Sequence, residues 1–146
     1  MPTCPCVVAA TTLPHKQVVT AANLAVQIAY PNKERLSAGL IVAGWDRHQG
    51  GQVYGIPIGG TLVKVPFTIG GSGSTYIFGF CDKNWKPRMS EQDCRAFVLQ
   101  AISLAMARDG SSGGCIRLVT IDKDGARREF VPGSSVPLHY GELMTR

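Results

Sequence analysis

The fold is decided by the stretch from Ser90 to Gly114, SEQDCRAFVLQAISLAMARDGSSGG, which predicts a helix that ends in a glycine-rich turn. Ser90 and Asp93 have the spacing of a capping box, in which side chains satisfy the first free N–H groups of a helix. Apolar side chains then recur at helical spacing and share one face of the helix: Cys94, Phe97, Val98, Ala101 and Ala105. We expect a sheet to pack against this face.

The turn after this helix, Asp109–Gly114, holds one carboxylate, two hydroxyls and three glycines. Glycine lets a backbone come close to another group, and side-chain oxygens can accept hydrogen bonds there. The pattern alone leaves two interpretations open, a helix C-cap followed by a tight loop or a catalytic turn. A strand, Cys115–Ile121, is predicted to follow the turn.

The composition is typical of a globular chain of one domain's length. Hydrophobic residues make up 45% of the 146 residues and charged residues 17%, and the net charge is +5. No apolar run approaches the roughly 18 residues of a membrane span, and no secretory signal is recognisable, so we expect a soluble, intracellular protein without a membrane partner. The basic residues are not interleaved with aromatic ones, so we expect no nucleic-acid partner.

The cysteines and histidines predict neither a metal site nor a cofactor. The odd number and scattered spacing of the cysteines are typical of reduced, buried thiols: Cys4, Cys6, Cys81, Cys94 and Cys115. A Cys-x-Cys pair is too short for a familiar zinc knuckle, and the three histidines show no ligand spacing: His15, His48 and His139.

The first half of the chain predicts one helix and three antiparallel strands. An apolar stripe places the helix at about Pro14–Tyr30. The strands are predicted at Leu40–Trp45, Val53–Ile58 and Thr61–Thr68. Pro66 in the third strand favours a sheet edge or a strand end. The residues before Thr12 have no clear period and leave a strand, a tail or a foreign leader open.

A second glycine-rich turn, Ile69–Thr75, precedes a short predicted helix, Tyr76–Cys81. It lacks the Lys-Ser/Thr of a P-loop, so a close approach to another part of the fold is favoured over nucleotide binding. An Asp-Gly pair between Ile116–Ile121 and Ala126–Val131 predicts a hairpin. Helices segregated from antiparallel strands predict an α+β domain.

Four motifs in this order resemble β-type subunits of the 20S proteasome, most closely the β1 branch with its delta and immunoproteasome members. The motifs are Ala43–Asp46 (AGWD), Gly50–Tyr54 (GGQVY), Ile69–Ser74 (IGGSGS) and Arg108–Gly114 (RDGSSGG). The resemblance extends from about Leu13 to about Leu138. It implies that residues 13–146 are the C-terminal part of a single β-subunit domain and that residues 1–12 are an unmatched leader.

The fold that the resemblance implies is the four-layer αββα N-terminal-nucleophile hydrolase fold, of which this chain would be the C-terminal portion only. The family's active subunits attack a peptide bond with the hydroxyl of an N-terminal threonine, whose own amine serves as base. Ser72, Asp109 and Ser112 match family residues that hydrogen-bond around this threonine. The resemblance therefore implies that these three residues support the site without attacking the substrate.

The N-terminal residues depart from the family pattern. Thr11-Thr12 resembles the family's mature start, but Ala10 stands where a glycine is expected before the cleavage point. The position of the activating lysine falls on the apolar stretch Ile41–Gly44. We therefore expect neither threonine to be a nucleophile, and we predict that this chain alone, which lacks the lysine and the oxyanion-hole region, is inactive.

The resemblance also implies partners and a location. A β1-like subunit would assemble with other proteasome α and β subunits, act on unfolded protein substrates in ubiquitin-dependent degradation, and occur in the cytoplasm and nucleus. An alternative is a non-catalytic structural subunit or a truncated isoform without activity of its own. A bacterial-type peptidase relative or a free-standing binding module is the least favoured interpretation.

Overall fold

The computed structural model describes residues 7–10 and 17–137, which form three helices, six strands and a 3-10 helix. The helices are α1 (Val18–Ala29), α2 (Ser74–Asn84) and α3 (Glu91–Arg108). The strands are β1 (Val7–Ala10), β2 (Leu40–Asp46), β3 (Gly50–Ile56), β4 (Val63–Val65), β5 (Cys115–Asp122) and β6 (Gly125–Pro132), and the 3-10 helix is Gly133–Ser135. The predicted order of helices and strands is confirmed, and β1 precedes it.

The described residues divide into two compact units. The first contains the described residues up to Gly71 together with Val119–Arg127, and the second contains Ser72–Leu118 and the described residues from Arg128 onward. Both units contain helices and strands, in agreement with the predicted α+β class. The predicted division into a leader and a domain stays a prediction.

A four-stranded sheet in the order β1-β2-β3-β4 dominates the first unit. The three predicted antiparallel strands are confirmed, with Ala43 opposite Val53 and Tyr54 opposite Lys64, while β1 runs parallel to β2. The fourth strand is shorter than predicted and ends at Val65, because the proline that follows cannot donate to the strand ladder. Ile58, predicted to end the second of these strands, lies beyond β3 and is exposed.

Alternation along β2 and β3 places every second side chain against α1. Buried side chains from the helix and the two strands form one apolar cluster: Val18, Ala22, Val42, Tyr54 and Ile56. The helix is predicted from its apolar stripe and the two strands from short apolar runs of strand length. The described helix is shorter than predicted and begins at Val18, whereas residues 14–16 lie outside the described part of the chain.

The predicted cap of α3 in the second unit is confirmed at Ser90. Ser90 lies in an extended conformation, its Oγ accepts the N–H of Asp93 at 3.1 Å, and the same hydroxyl donates to Asp93 Oδ2 at 2.7 Å. The other end of the helix is Arg108, and Asp109 is the C-cap. Both ends therefore lie where local sequence signals place them.

The prediction of a sheet beneath the face of α3 that carries Phe97 is wrong. Phe97 stacks on Phe80 of α2, with ring centroids 5.7 Å apart. The side chains of α3 that pack against the hairpin are instead Leu99 and Met106, which contact the buried cluster of Ile116, Val131 and Val136. Since α3 carries apolar side chains on more than one side, periodicity could not decide which neighbour each side meets.

The thiol prediction is correct for one cysteine and wrong for another. Cys81 is fully buried, Cys115 is half-buried, and Cys94 is exposed; all three are free thiols. Cys94 lies in the first turn of α3. Cys4 and Cys6 lie outside the described residues.

Candidate functional site

Two polar turns of the second unit meet at the carboxylate of Asp109. The first turn carries Ser72 and leads through Gly73 into α2. The second begins where Asp109 ends α3, with its N–H donating to the carbonyl oxygen of Ala105 at 2.8 Å. Ser112 then folds back, and its N–H donates to the carbonyl oxygen of Asp109 at 3.0 Å.

The structure brings all three predicted site residues together. The hydroxyls of Ser72 and Ser112 both donate to Oδ2 of Asp109, at 2.7 Å and 2.6 Å. The other carboxylate oxygen, Oδ1, accepts the N–H of Ser111 at 3.2 Å. Asp109 is 7% exposed, whereas Ser72 is exposed and Ser112 half-buried. The hydroxyls therefore lie between the buried carboxylate and the surface.

These hydrogen bonds favour the charged form of the carboxylate. The hydroxyl of Ser112 contributes most, followed by that of Ser72 and the N–H of Ser111, and together they hold the pKa of Asp109 below its ordinary value of 3.8. Burial acts in the opposite direction but does not overcome them. Asp109 is therefore an anion at neutral pH.

This arrangement orients a hydrogen-bond donor and does not create a nucleophile. Each hydroxyl has one proton, and both protons point to Asp109, so the remaining lone pairs of the two serine oxygens can accept. A carboxylate with a lowered pKa is a weak base and does not remove a serine proton. An amine, an ammonium group or a hydroxyl placed against Ser72 and Ser112 would find acceptors and a negative charge behind them.

Gly73 is a site residue that the sequence did not single out, although a close approach at the glycine-rich turn was predicted. A Cβ atom on Gly73 would lie 3.0 Å from Cβ of Ala105, 3.1 Å from Oγ of Ser112 and 3.3 Å from Oδ2 of Asp109. All three distances are shorter than ordinary van der Waals contacts. The absence of a side chain at Gly73 therefore lets the two turns meet.

A second buried carboxylate, Asp46 in the first unit, was also missed as a hydrogen-bonding centre. Its Oδ1 accepts the N–H groups of His48 and Gln49, both at 2.9 Å, and its Oδ2 accepts the N–H of Val18 at 3.1 Å and Nε2 of Gln52 at 2.5 Å. These groups, the N–H of Gln49 foremost, lower the pKa of Asp46 to about 2 against the effect of burial.

The role of Asp46 is to hold elements together. Val18 is the first residue of α1, so Asp46 caps that helix from a neighbouring strand, while His48 and Gln49 lie in the turn between β2 and β3. The detectable local signal is an aspartate at a strand end before a turn. The bond to α1, 28 residues away along the chain, has no local signal.

Two further observations concern other kinds of site. Within residues 7–10 and 17–137, no group of three or more His, Cys, Asp or Glu side chains is arranged to hold a metal ion. None of the helices in the described part of the chain is both long enough and apolar enough to cross a membrane.

A comparison with protein families matches this chain to one family. The family model described as "Proteasome subunit" matches residues 12–121, which include all four motifs. The matched range also contains Ser72, Asp109 and Ser112.

Curated relatives point to the same family. The chain is 58% identical over 120 residues to "Proteasome subunit beta type-6" of Dictyostelium discoideum, and the match covers 82% of this chain and 56% of the relative. It is 50% identical over 135 residues to the Arabidopsis thaliana protein of the same name, covering 90% of this chain and 58% of the relative. It is 54% identical over 125 residues to "Proteasome subunit beta type-9" of Rattus norvegicus, covering 86% of this chain and 57% of the relative. The chain thus spans little more than half the length of these relatives.

Proposed function

The chain belongs to the proteasome subunit family, and on that premise we propose that it is a β-type subunit of the 20S core particle that takes part in proteasomal protein degradation. The observation that carries this proposal is the convergence of Ser72 and Ser112 on Asp109 from turns far apart in the sequence. The names of its relatives, β types 6 and 9, support the β-type assignment. We place the chain in the β1 branch because of the four motifs.

We assign the Ser72–Asp109–Ser112 cluster the role of orienting the threonine of the family's peptidase mechanism. The amine of an N-terminal threonine must be held next to its own hydroxyl if it is to act as base. The outward lone pairs of Ser72 and Ser112 fit an amine donor, and the negative charge of Asp109 stabilises the amine when it takes up a proton. The cluster therefore acts on the position and basicity of the amine.

The same geometry argues against a nucleophile within the cluster. Both serine hydroxyls donate to one carboxylate, and no histidine or lysine is hydrogen-bonded to either oxygen among the described residues. Thr11 and Thr12 lie outside the described residues, so the expectation that neither attacks the substrate stays a prediction. We propose that peptidase activity of this chain, if it is measured alone, is absent.

The partners and location that we propose follow from the family. The chain would assemble with other proteasome α and β subunits, act on unfolded protein substrates within the particle, and occur in the cytoplasm and nucleus. Degradation in a closed particle requires subunit contacts, and large exposed apolar side chains one helical turn apart on α1, Leu24 and Ile28, are available for them.

A non-catalytic structural subunit is the second candidate, and the same α1 side chains support it. Leu24 is 54% exposed and Ile28 is 66% exposed, so the helix offers an apolar surface that does not depend on the polar cluster. Such a subunit would occupy a position in the ring and leave peptide hydrolysis to its neighbours.

Affinity purification of the tagged chain from cells tests both candidates. We expect other α and β subunits to co-purify with it in a particle that cleaves peptides, and a chain that sediments alone would contradict both proposals. A threonine-directed covalent inhibitor followed by peptide mapping then locates the nucleophile. Labelling of Thr11 or Thr12 would contradict the supporting role that we assign to this chain.

The variants Ser72→Ala and Ser112→Ala distinguish the two candidates within the particle. An orienting role predicts slower cleavage of one class of peptide, either with acidic or with apolar residues before the cleaved bond. Ser111→Ala is the matched control, because it removes a hydroxyl from the same turn and keeps the N–H that Asp109 accepts. Incorporation with unchanged cleavage by all three variants would favour the structural subunit.

A further inference from the structure

The end of the polar turn is in contact with a segment that follows β6. Gly114 is the last residue of the turn, has φ of +85°, and precedes β5. The 3-10 helix Gly133–Ser135 follows β6 and begins next to Gly114. A Cβ atom on Gly133 would overlap the carbonyl oxygen of Gly114, at a separation that real Cβ atoms do not show.

A glycine is needed at position 133 because a side chain would collide with Gly114, and not because of the backbone conformation. Gly114 and Gly125 have positive φ angles that favour glycine, but Gly133 is not among the residues with positive φ. Any L-amino acid could therefore adopt the backbone of Gly133 if the carbonyl group of Gly114 were further away. The close contact is the reason for a glycine at this position.

The 3-10 helix has anchors on both sides. Val131 and Val136 are 8% and 4% exposed, and both pack against Ile116, which lies two residues after Gly114. The N–H of Val136 also donates to the carbonyl oxygen of Gly133 at 3.3 Å. Gly133 thus lies between two buried side chains that share a cluster with the start of β5, so it has little freedom to move away from Gly114.

The opposite end of the polar turn is fixed as well. Asp109 is held by its N–H bond to Ala105 at the end of α3, and Ser112 folds back onto Asp109. If Gly114 is displaced, the residues between these two fixed ends must therefore shift, and Ser112, which donates to Asp109, is one of them. Oγ of Ser112 also lies close to Gly73, since a Cβ atom added to Gly73 would be 3.1 Å from it.

We propose that Gly133 is a positioning residue for the Ser72–Asp109–Ser112 cluster, acting through its contact with Gly114. The 3-10 helix fixes the position of Gly114 at the end of the polar turn. The position of Gly114 then determines the distance between Ser112 and Asp109. The consequence for catalysis rests on the function proposed above, whereas the geometric relationship does not.

The test is Gly133→Ala in the assembled particle, read first by cryo-electron microscopy. We expect Ser112 Oγ to move out of hydrogen-bonding distance of Asp109 Oδ2. The control is Gly79→Ala in α2, whose added Cβ would meet no atom beyond its chain neighbours and the backbone of its own helix, and it should leave Ser112 in place. A Gly133→Ala map with the hydrogen bond intact overturns the proposal. If Gly133→Ala does not assemble, Val136→Ala is the second variant, because it removes an anchor of the 3-10 helix without adding atoms. The end of the polar turn is then no longer held in place, and we expect a longer distance between Ser112 Oγ and Asp109 Oδ2; an unchanged distance overturns the proposal.

A kinetic cycle separates positioning from general loss of structure. We expect Gly133→Ala to lower kcat about tenfold or more with little change in KM, because small displacements of orienting groups slow the reaction. In a Ser112→Ala background the same change should alter kcat less than about twofold, because both act through one hydrogen bond. If the effects of the two substitutions on kcat are fully additive, the proposal is overturned. If Ser112→Ala alone leaves kcat unchanged although Ser112 is displaced in the Gly133→Ala map, only the catalytic role of the cluster is overturned.

Discussion

The hydroxyl of Ser72 donates to Oδ2 of Asp109 at 2.7 Å, although the two residues are 37 positions apart in the chain. This bond joins the N-terminal side of α2 to the C-terminal end of α3. Because Asp109 is buried and Ser72 is exposed, the bond also links a buried carboxylate to a hydroxyl group at the surface. The chemistry that we propose depends on this connection.

Asp109→Asn should remove the charge and reverse part of the hydrogen bonding. An asparagine oxygen can still accept one hydroxyl, but its NH₂ group would face donors and force at least one serine to turn. We expect kcat for the one class of peptide that depends on this cluster to fall roughly 10²-fold, with a smaller change in KM. Ser111→Ala serves as the control; equal activity of the two variants would contradict the orienting role.

Gly73→Ala should destabilise the contact between the two polar turns. The added Cβ would press on Ala105, Ser112 and Asp109, and overpacking of this kind typically costs about 1–3 kcal/mol. We expect a lower urea midpoint for the full chain, whereas Gly79→Ala in the interior of α2 should be neutral or stabilising. A Gly73→Ala chain as stable as the Gly79→Ala chain would show that the turns separate without cost.

Asp46 should make stability depend on pH in the acid range. Its folded-state pKa is lowered from 3.8 to about 2, so it contributes stability above the unfolded pKa, and that contribution is lost as pH falls through the range from about 4 to about 2. We expect the unfolding midpoint of the full chain to fall over this range more steeply than that of Asp46→Asn.

The control for this titration is Asp82→Asn, which changes an exposed aspartate. It shows how much of any difference follows simply from replacing an exposed aspartate by asparagine. Other carboxylates with lowered pKa values, including Asp122 and Glu129, are present in all three chains and cancel in the comparison. Parallel curves for Asp46→Asn and the unchanged chain would contradict the capping role of Asp46.

The cysteines should differ in their reactivity toward a thiol reagent. Cys94 is exposed, whereas burial, with a smaller effect of Asp82, raises the pKa of Cys81 and keeps its thiol protonated. We expect rapid labelling of Cys94 and slow labelling of Cys81 in the folded full chain, measured by peptide mass spectrometry. Urea should abolish the difference, and equal rates without urea would contradict the burial of Cys81.

The amino-acid sequence by itself determined the elements whose signals are local. The helix cap at Ser90, the Asp-Gly hairpin turn and the short apolar runs within β2 and β3 all depend on residues within a few positions of one another. The geometry of helices and strands fixes those spacings before any tertiary contact forms. The predicted grouping of Ser72 with Asp109 came from a family resemblance, since no spacing rule relates residues so far apart.

Only the tertiary structure decided which elements meet. It placed Phe97 of α3 on α2 and Leu99 on the hairpin, connected Asp46 to α1, and brought Gly133 against Gly114. These contacts join residues that are distant along the chain, and they form because close packing and the pairing of buried polar groups must be satisfied in the whole fold at once. An isolated stretch of sequence does not contain that constraint.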